Sequence, residues 1–229
     1  MPTNQSYIEP SDLFSDLRIE QRLALERAII YSSHPAGHLF FSPNERGAHV
    51  YLLRVGRVRL YKLSPEGRAL TLSVLEPVTL FGELPLLGSW LHECFAETMS
   101  EAYVGVIARD TLRQAVESYP QVAVRILELL GNRLRMMENR LADIAFKNVP
   151  QRLATILLSL AALPSAATNA DEPPTLARFT HQQLAEMAGA YRETVTKALG
   201  EFRKAGLIRV EGDMITLMNV PGLQQLASR

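Results

Sequence analysis

The feature that most constrains this chain is a dense set of helix start and stop signals in residues 179–208. Thr180 is a favourable N-cap, and Gln183 three positions later completes a capping box. Phe179 before the cap and Leu184 four positions after it match the pair that forms a hydrophobic staple. A short amphipathic helix is therefore predicted to begin at this point.

A second helix follows after a glycine. Gly189 can adopt the positive φ that a tight turn requires, and apolar residues at helical spacing resume from about Tyr191 to Ala205. Gly206 is placed to end that helix as its C′ residue. The stretch Ile208–Leu217 then alternates around a Gly-Asp pair, which predicts a β-hairpin. Together these elements predict a winged helix–turn–helix.

The exposed face of the second helix carries side chains suited to reading bases in a DNA major groove. Arg192 can donate two parallel hydrogen bonds to guanine, Glu193 can accept from cytosine N4, and Lys197 can reach a guanine or a phosphate. Double-stranded DNA is therefore the expected partner. The alternative is an ordinary solvated helix face, but the neighbouring turn and hairpin favour the DNA-contacting interpretation. Candidates for DNA backbone contacts near the helix starts are Thr180, Gln182, Tyr191 and Thr194.

A long helix is predicted at about residues 110–147, where Pro120 and Gly131 are the only proline and glycine. Apolar residues recur there at alternating intervals of three and four, a narrow a/d seam typical of a parallel two-helix dimer. The second helix of the helix–turn–helix, which would contact the bases, is called the reading helix. Two chains related by a twofold axis would place their reading helices about one DNA turn apart. The alternative is a helix packed only on its own domain. The expected homodimer interface consists of Leu127, Leu130, Leu134, Met137, Leu141 and Ile144.

The N-terminal part of the chain reads as strands separated by recurring glycines. This spacing predicts an antiparallel sandwich or barrel, with helical segments around residues 18–30 and 111–119 on either side of it. The predicted fold class is α+β, with one domain at residues 1–147 and a second at residues 148–229. The apolar runs expected to form strands are Val50–Leu53, Val58–Tyr61, Leu70–Leu75 and Tyr103–Ile107.

Composition excludes several other functions. The chain has 24 basic and 24 acidic residues, which argues against a nonspecific binder of polyanions. It contains no apolar run of membrane-spanning length and no charged leader, so we expect a cytoplasmic protein without membrane contact. One cysteine excludes an intrachain disulfide and a four-cysteine metal site. No phosphate-binding loop, nucleophile elbow or zinc-protease motif is present, so no enzyme is expected.

These motifs resemble the superfamily of the cyclic-AMP receptor protein and the fumarate–nitrate-reduction regulator, known as CRP/FNR. The resemblance is carried by the R-E-T-V run at 192–195, the effector-type stretch Leu80-Phe-Gly-Glu-Leu84 and the hinge-like stretch Ala145–Val149. It implies a cyclic-nucleotide-binding-like β-roll, TGTGA-like half-sites, and RNA polymerase as a candidate partner if the protein is an activator. Lys197 stands where the family has arginine, so base preference there should be looser.

The effector motif departs from the family pattern. In the family the glutamate holds a ribose hydroxyl, and an Arg-Ser pair about ten residues later holds the cyclic phosphate. The corresponding positions here are His92 and Glu93, and residues 84–108 contain no lysine or arginine. Because a carboxylate repels a phosphate, cyclic AMP is disfavoured and the cofactor is expected to be none or unknown. The residues that the resemblance implies for an effector pocket are Gly82, Glu83, Leu84, His92, Cys94, Met137 and Glu138.

Other effectors remain open. His92 and Cys94, with Pro2, faintly resemble the haem-ligating branch of the family that senses carbon monoxide, although a half-buried structural pair is the favoured interpretation. His34, His38 and His49 lie too scattered in the chain to define a zinc site, and no metal is expected. Other branches sense 2-oxoglutarate or nitrogen oxides, or act without any ligand, and the last of these is favoured. A protein-interaction module without DNA binding is the alternative from a different class.

Overall fold

The structure is a computed structural model that describes residues 13–83, 91–162, 173–177, 179–212 and 214–228. Contacts between residues divide the chain into two compact units. The first unit contains residues 1–61 and 73–135, and the second contains residues 62–72 and 136–229. The predicted α+β class is confirmed, while the proposed division at residue 147 stays a prediction.

The N-terminal strands form two four-stranded sheets, ordered β1-β8-β3-β6 and β2-β7-β4-β5. In the first sheet β8 pairs antiparallel with both β1 and β3, so it occupies an interior position. All four strands expected from the apolar runs are confirmed. The elements are α1 Ile19–Glu26, β1 Ile29–His34, β2 Leu39–Phe41, β3 His49–Val55, β4 Val58–Leu63, β5 Ala69–Leu75, β6 Thr79–Phe81, β7 Phe95–Thr98 and β8 Ala102–Ala108.

The helix expected at residues 18–30 was predicted too long. It ends at Glu26, and Ile30 instead lies in β1 opposite Val106. The run Ile29-Ile30-Tyr31 explains the error, because β-branched and aromatic residues favour a pleated strand. The core that this strand helps to form contains Leu13, Phe14, Leu17, Ile29, Val50, Leu52, Leu80, Ile107, Leu112, Val122 and Ile126.

The long helix begins later than the sequence predicted. Residues 109–118 form a separate helix, α2 (Arg109–Ser118), and α3 spans Pro120–Phe146. Tyr119 between them has φ −135° and ψ 86°, outside the α region that a following proline disfavours. Val122 and Ile126 on α3 are buried in the first unit's core. Within the described residues, neither α3 nor any other helix is long and apolar enough to cross a membrane.

The second unit contains the predicted winged helix–turn–helix. Its sheet has the order β10-β11-β9, so the expected hairpin gains a third strand that the sequence did not indicate. Asn148 and Gln151 form a capping box at the start of its first helix. The elements are α4 Val149–Ala161, β9 Thr175–Ala177, α5 His181–Ala188, α6 Arg192–Lys204, β10 Ile208–Glu211, β11 Met214–Leu217 and α7 Val220–Ala227.

The local signals around α5 and α6 operate as predicted. The Thr180 hydroxyl accepts from the Gln183 N–H at 3.1 Å, and the Gln183 side chain accepts from the Thr180 N–H at 2.9 Å. Gly189 adopts a φ of 58° in the turn. After α6, the N–H of Leu207 donates to the carbonyl of Phe202 at 2.9 Å, the long bond of a Schellman motif. The predicted helix–turn–helix is therefore confirmed.

Candidate nucleic-acid interface

The start of α6 presents a polar face to solvent while its other face is buried. Arg192, Glu193 and Lys197 are all exposed. Within the described part of the chain, their side chains form no hydrogen bond or ion pair. Glu193 and Lys197 are four residues apart, a spacing at which helices often form ion pairs. These side chains are thus free to meet an external partner. The buried residues that anchor the opposite face are Val195, Ala198, Leu199 and Phe202.

A cleft of about 400 Å³ lies between the start of α5, the start of α6 and the β10–β11 hairpin. Thr180, Gln182 and Arg192 line it, so the structure brings two expected backbone contacts beside an expected base contact. Two of these groups already have partners, since the Thr180 hydroxyl caps α5 and the Gln182 amide donates to Glu186 at 2.9 Å. A phosphate in this cleft would share or replace those bonds.

Two residues at this surface were missed from the sequence. The His181 Nδ1 atom lies 3.0 Å from the Thr196 hydroxyl and links α5 to the exposed side of α6. Its position directly after the N-cap was an available signal. The Arg68 guanidinium lies over the Tyr191 ring, 4.0 Å from its centroid, as a cation–π contact. No local pattern could reveal that pair because the two residues are distant in sequence. Thr194 is exposed, as a backbone contact requires.

Two arginines contact the C-terminal end of α5. Arg152 donates through Nε to the carbonyl of Ala188 at 2.9 Å. Arg140 donates through Nη2 to the carbonyl of Met187. The last carbonyls of a helix have no intrahelical donors, so both guanidinium groups satisfy otherwise free acceptors. Burial lowers the pKa of Arg140, but an arginine stays charged at neutral pH.

The carboxylate of the expected effector motif, that of Glu83, forms a buried ion pair. Glu83 is 1% exposed, and its Oε1 accepts from Arg133 on α3 at 2.7 Å. Arg133 also donates to the carbonyl of Leu80 at 2.7 Å. The second oxygen of Glu83 is buried without a hydrogen-bond partner among the described residues. Thus the carboxylate that the resemblance assigned to a ribose is already engaged by a guanidinium.

The other expected pocket residues are divided between the two units. Gly82 adopts a φ of 75°, and an added Cβ there would lie 2.9 Å from the Tyr51 ring. Met137 and Glu138 are exposed and belong to the second unit. Leu84 and Pro2 lie outside the described residues.

A second carboxylate of the first unit is also neutralised. Glu97 on β7 accepts from Arg59 on β4 at 3.3 Å and from the Tyr61 hydroxyl at 3.0 Å. The Arg59 guanidinium lies 4.4 Å from the centroid of the Tyr61 ring. Arg59 on β4 therefore places a positive charge beside β7, and Glu97 neutralises it.

The pair of His92 and Cys94 is buried. His92 is 5% exposed and stacks on Phe41 with ring centroids 3.7 Å apart. Burial lowers the pKa of His92, and the charge of Glu45 opposes that shift. Cys94 is buried and is not part of a disulfide. These contacts favour the structural interpretation of the pair.

Two other histidines are closer than the sequence suggested. The β1–β2 connection brings the ring centroids of His34 and His38 to 4.2 Å. Burial, and then the charge of His38, lower the pKa of His34. Across the described residues, no group of three or more histidine, cysteine, aspartate or glutamate side chains could hold a metal ion.

A winged helix–turn–helix with a free polar face at the start of its second helix defines a DNA-binding class of protein. Known proteins agree with that class. Residues 151–226 match the Crp-like helix-turn-helix domain, and residues 32–119 match the cyclic nucleotide-binding domain. The CRP-like cAMP-activated global transcriptional regulator of Mycobacterium tuberculosis is 33% identical over 208 residues, which cover 89% of this chain and 91% of the relative.

Thermus thermophilus provides a further relative and a solved structure. The transcriptional regulator SdrP is 31% identical over 197 residues, covering 85% of this chain and 93% of the relative. The crystal structure of a CRP/FNR-family regulator from this organism is 30% identical, with a TM-score of 0.75, and covers 87% of this chain and 99% of that chain. This chain belongs to the CRP/FNR family of transcriptional regulators. It is thus a regulator with a DNA-binding helix–turn–helix domain and not an enzyme.

Proposed function

We propose that this protein is a homodimeric regulator that reads TGTGA-like palindromic half-sites with Arg192, Glu193 and Lys197. The observation that carries this proposal is the exposed face of α6, on which the three side chains have no partner among the described residues. An arginine fork matches the O6 and N7 acceptors of guanine, and a carboxylate matches the amino group of cytosine. Each of the two G·C pairs of a TGTGA half-site offers a guanine edge that suits an arginine and a cytosine amino group that suits a glutamate.

Backbone contacts would hold the reading helix in register. The cleft between α5, α6 and the hairpin is lined by Thr180 and Gln182, while Tyr191 and Thr194 are exposed at the start of α6. Hydroxyl, amide and backbone N–H groups at such positions bind phosphates without regard to sequence. These four residues therefore contribute affinity and orientation in the proposal, and the Arg–Glu–Lys set contributes sequence choice.

A dimer is proposed from the seam on α3. Leu127 is 67% exposed, Leu134 58% and Leu141 68%, so the lone chain leaves large apolar side chains in water. Met137 and Ile144 are also exposed, whereas Leu130 packs partly against the first unit's core. Apolar residues at a/d spacing are covered well by the same residues of a second helix. Two copies would then present two reading helices to a palindrome.

Fluorescence anisotropy tests the reading face on two duplexes, one with paired TGTGA half-sites and one scrambled. The Arg192→Ala variant is expected to lose about 1–3 kcal/mol, roughly 5- to 150-fold, on the palindrome and little on the scrambled duplex. Arg113→Ala is the matched control, because Arg113 is an exposed arginine on α2 that pairs with Asp110. Equal losses on both duplexes would reassign Arg192 to phosphate contact.

The salt dependence of the same assay separates DNA binding from the alternative of a protein-interaction module. Binding that depends on phosphate contacts weakens as salt rises, because counterions compete for the backbone. We expect the wild-type affinity for both duplexes to fall with salt. If the wild-type protein binds neither duplex at low salt, DNA reading is excluded and the interaction module is favoured.

We further propose that cyclic AMP does not control this protein. Among the described residues, Glu83 is paired with Arg133 and Arg59 is paired with Glu97, so a cyclic nucleotide would have to compete with these two ion pairs. The relative from M. tuberculosis is named as cAMP-activated, which makes this nucleotide the first ligand to test. Calorimetry with cyclic AMP is expected to show no binding, and operator affinity is expected to stay unchanged. Operator binding that tightens with the nucleotide would overturn this proposal.

A protein that acts without a ligand responds to its own abundance. The natively purified dimer should therefore show no haem absorption and no retained small molecule by mass spectrometry. A haem band would instead favour the haem-binding alternative. Acting on chromosomal DNA, the regulator would work in the cytoplasm, with RNA polymerase as its partner at activated promoters.

A further inference from the structure

The end of α5 is joined to two other helices by charged side chains. The carbonyls of Met187 and Ala188 are consecutive acceptors at the C-terminal end of α5. They receive a hydrogen bond each from Arg140 on α3 and Arg152 on α4. Cations at this end of a helix also interact favourably with the helix dipole. We call Arg140 and Arg152 the arginine clasp.

Each arginine of the clasp bridges two places in the second unit. Arg152 donates through Nη1 to the carbonyl of Lys147 at 2.8 Å, in the link between α3 and α4. Arg140 donates through Nη1 to the carbonyl of Leu72 at 3.4 Å, in the segment of residues 62–72. A guanidinium is planar and its donors have fixed directions. Two bonds from one such group therefore constrain both of the acceptors that it joins.

The clasp lies one short turn from the reading face. The N–H of Ala190 donates to the carbonyl of Ala185 at 3.0 Å, which closes the turn after α5. Arg192 begins α6 directly afterwards. Because the turn is short and hydrogen-bonded, a rotation of α5 carries the reading helix with it. Arg140 thus provides a direct connection from α3 to the element that orients the base-contacting side chains.

We propose that Arg140 is a positioning residue for DNA reading. It fixes the orientation of the α5–α6 pair relative to the C-terminal part of α3, and in the dimer this orientation sets the separation of the two reading helices. The half-site spacing that the protein accepts is therefore determined in part by Arg140. This inference rests on the proposed dimeric DNA-binding function.

Arg140 is the more informative member of the clasp. Arg152 lies on α4, which packs against α5 in the second unit, and Leu157 of α4 and Leu184 of α5 are fully buried. That apolar packing would hold α4 and α5 together even without the Arg152 bonds. Arg140 instead extends from α3, where the seam of the proposed dimer lies. Its loss should loosen the link between dimer and reading helix while the winged domain remains folded.

The test measures how DNA affinity depends on half-site spacing. A residue that only stabilises the fold would not change that dependence. Operator duplexes would carry two TGTGA half-sites at the optimal spacing and at spacings changed by one and two base pairs. For the wild type, affinity should peak sharply at one spacing. For Arg140→Gln, the ratio of optimal to shifted affinity should fall at least about fivefold, the low end of typical coupling between sites. Arg140→Lys keeps the charge but not the fork, so it should restore the ratio only in part.

Arg135→Gln is the matched control, because Arg135 is an exposed arginine on the same helix. Thermal unfolding of each variant shows whether the fold is retained. A loss of affinity by the same factor at every spacing, or an unchanged ratio, overturns the positioning role. Failure of the wild type to bind any of the duplexes would instead refute the proposed function, so the two failures are distinguishable.

Discussion

At the scale of single residues, the same side chain has opposite roles in different surroundings. Glu193 is exposed and has no side-chain partner among the described residues. Glu83 is 1% exposed and paired with Arg133. A buried carboxylate is strongly unfavourable unless a cation and hydrogen bonds compensate it. The exposed glutamate is therefore available to a ligand, whereas the buried one depends on its partner for stability.

Removing Arg133 should destabilise the first unit severely. The Arg133→Leu variant leaves the charge of Glu83 buried without its cation, so the free energy of unfolding should fall by about 3–5 kcal/mol. Urea denaturation followed by circular dichroism measures this loss. The double variant with Glu83→Gln removes the isolated charge and should recover a large part of it. A change within about 0.5 kcal/mol for Arg133→Leu would show that the ion pair is not important for stability.

Thr180 makes a smaller, local contribution. Its hydroxyl accepts from the Gln183 N–H at the start of α5, and loss of such a cap lowers stability by about 1 kcal/mol. We expect that decrease in the unfolding free energy of Thr180→Ala. Thr180→Ser retains the hydroxyl and should stay close to the wild type. If both substitutions have the same effect, the cap does not explain it.

At the scale of elements, features encoded by residues close together in the sequence could be predicted, whereas features that depend on distant residues could not. The caps and turn of α5 and α6 were predictable because Thr180, Gln183 and Gly189 lie within ten residues. The helical segment expected around residues 111–119 is confirmed as α2, but the long helix begins at Pro120 and not at about residue 110. The continuous apolar pattern had outweighed that proline in the prediction. Contacts such as Arg68 with Tyr191 join segments far apart in the chain. No sequence periodicity indicates such pairs. The contacts that orient the exposed face of α6 could therefore be identified only from the structure.

The buried His92 and the partly buried His34 should make stability depend on pH. Burial lowers the pKa of His92 and of His34 below the ordinary value of 6.5. The unfolded chain then binds more protons than the folded one, so the free energy of unfolding falls as pH drops below about 6.5. This contribution is fully present above that pH. Urea midpoints measured from about pH 8 to about pH 5 should show the decline.

Variants identify which rings contribute to that decline. His92→Phe keeps an aromatic ring against Phe41 but cannot take up a proton, so its stability should change less with pH. His49→Gln removes an exposed histidine of β3 and serves as the control. Identical pH profiles for His92→Phe and the wild type would show that His92 is not responsible.

At the scale of the whole molecule, assembly should depend on the seam of α3. Leu134 is 58% exposed in the lone chain, and a charge in a covered a/d position is strongly unfavourable. Leu134→Glu should therefore shift the protein from dimer to monomer in analytical ultracentrifugation. The same variant should bind a palindrome about as weakly as a single half-site, because its two reading helices are no longer joined.

Asn139→Glu is the control for added charge, since Asn139 is exposed on α3 and lies outside the seam. It should remain dimeric and retain its preference for the palindrome. A Leu134→Glu protein that sediments as a dimer would assign the contact between copies to another surface.

The unpaired carboxylate of Glu193 also affects how the protein ignores incorrect DNA. Wherever neither a cytosine nor an adenine amino group faces it, this negative charge lies against base-edge acceptors and gains no hydrogen bond to replace its water. Mismatched sequences are therefore rejected by repulsion as well as by the absence of attraction. Because the whole chain has no net charge, little general attraction offsets that rejection. Most of the chromosome should consequently act as a weak competitor, leaving a larger free pool of regulator for its operators.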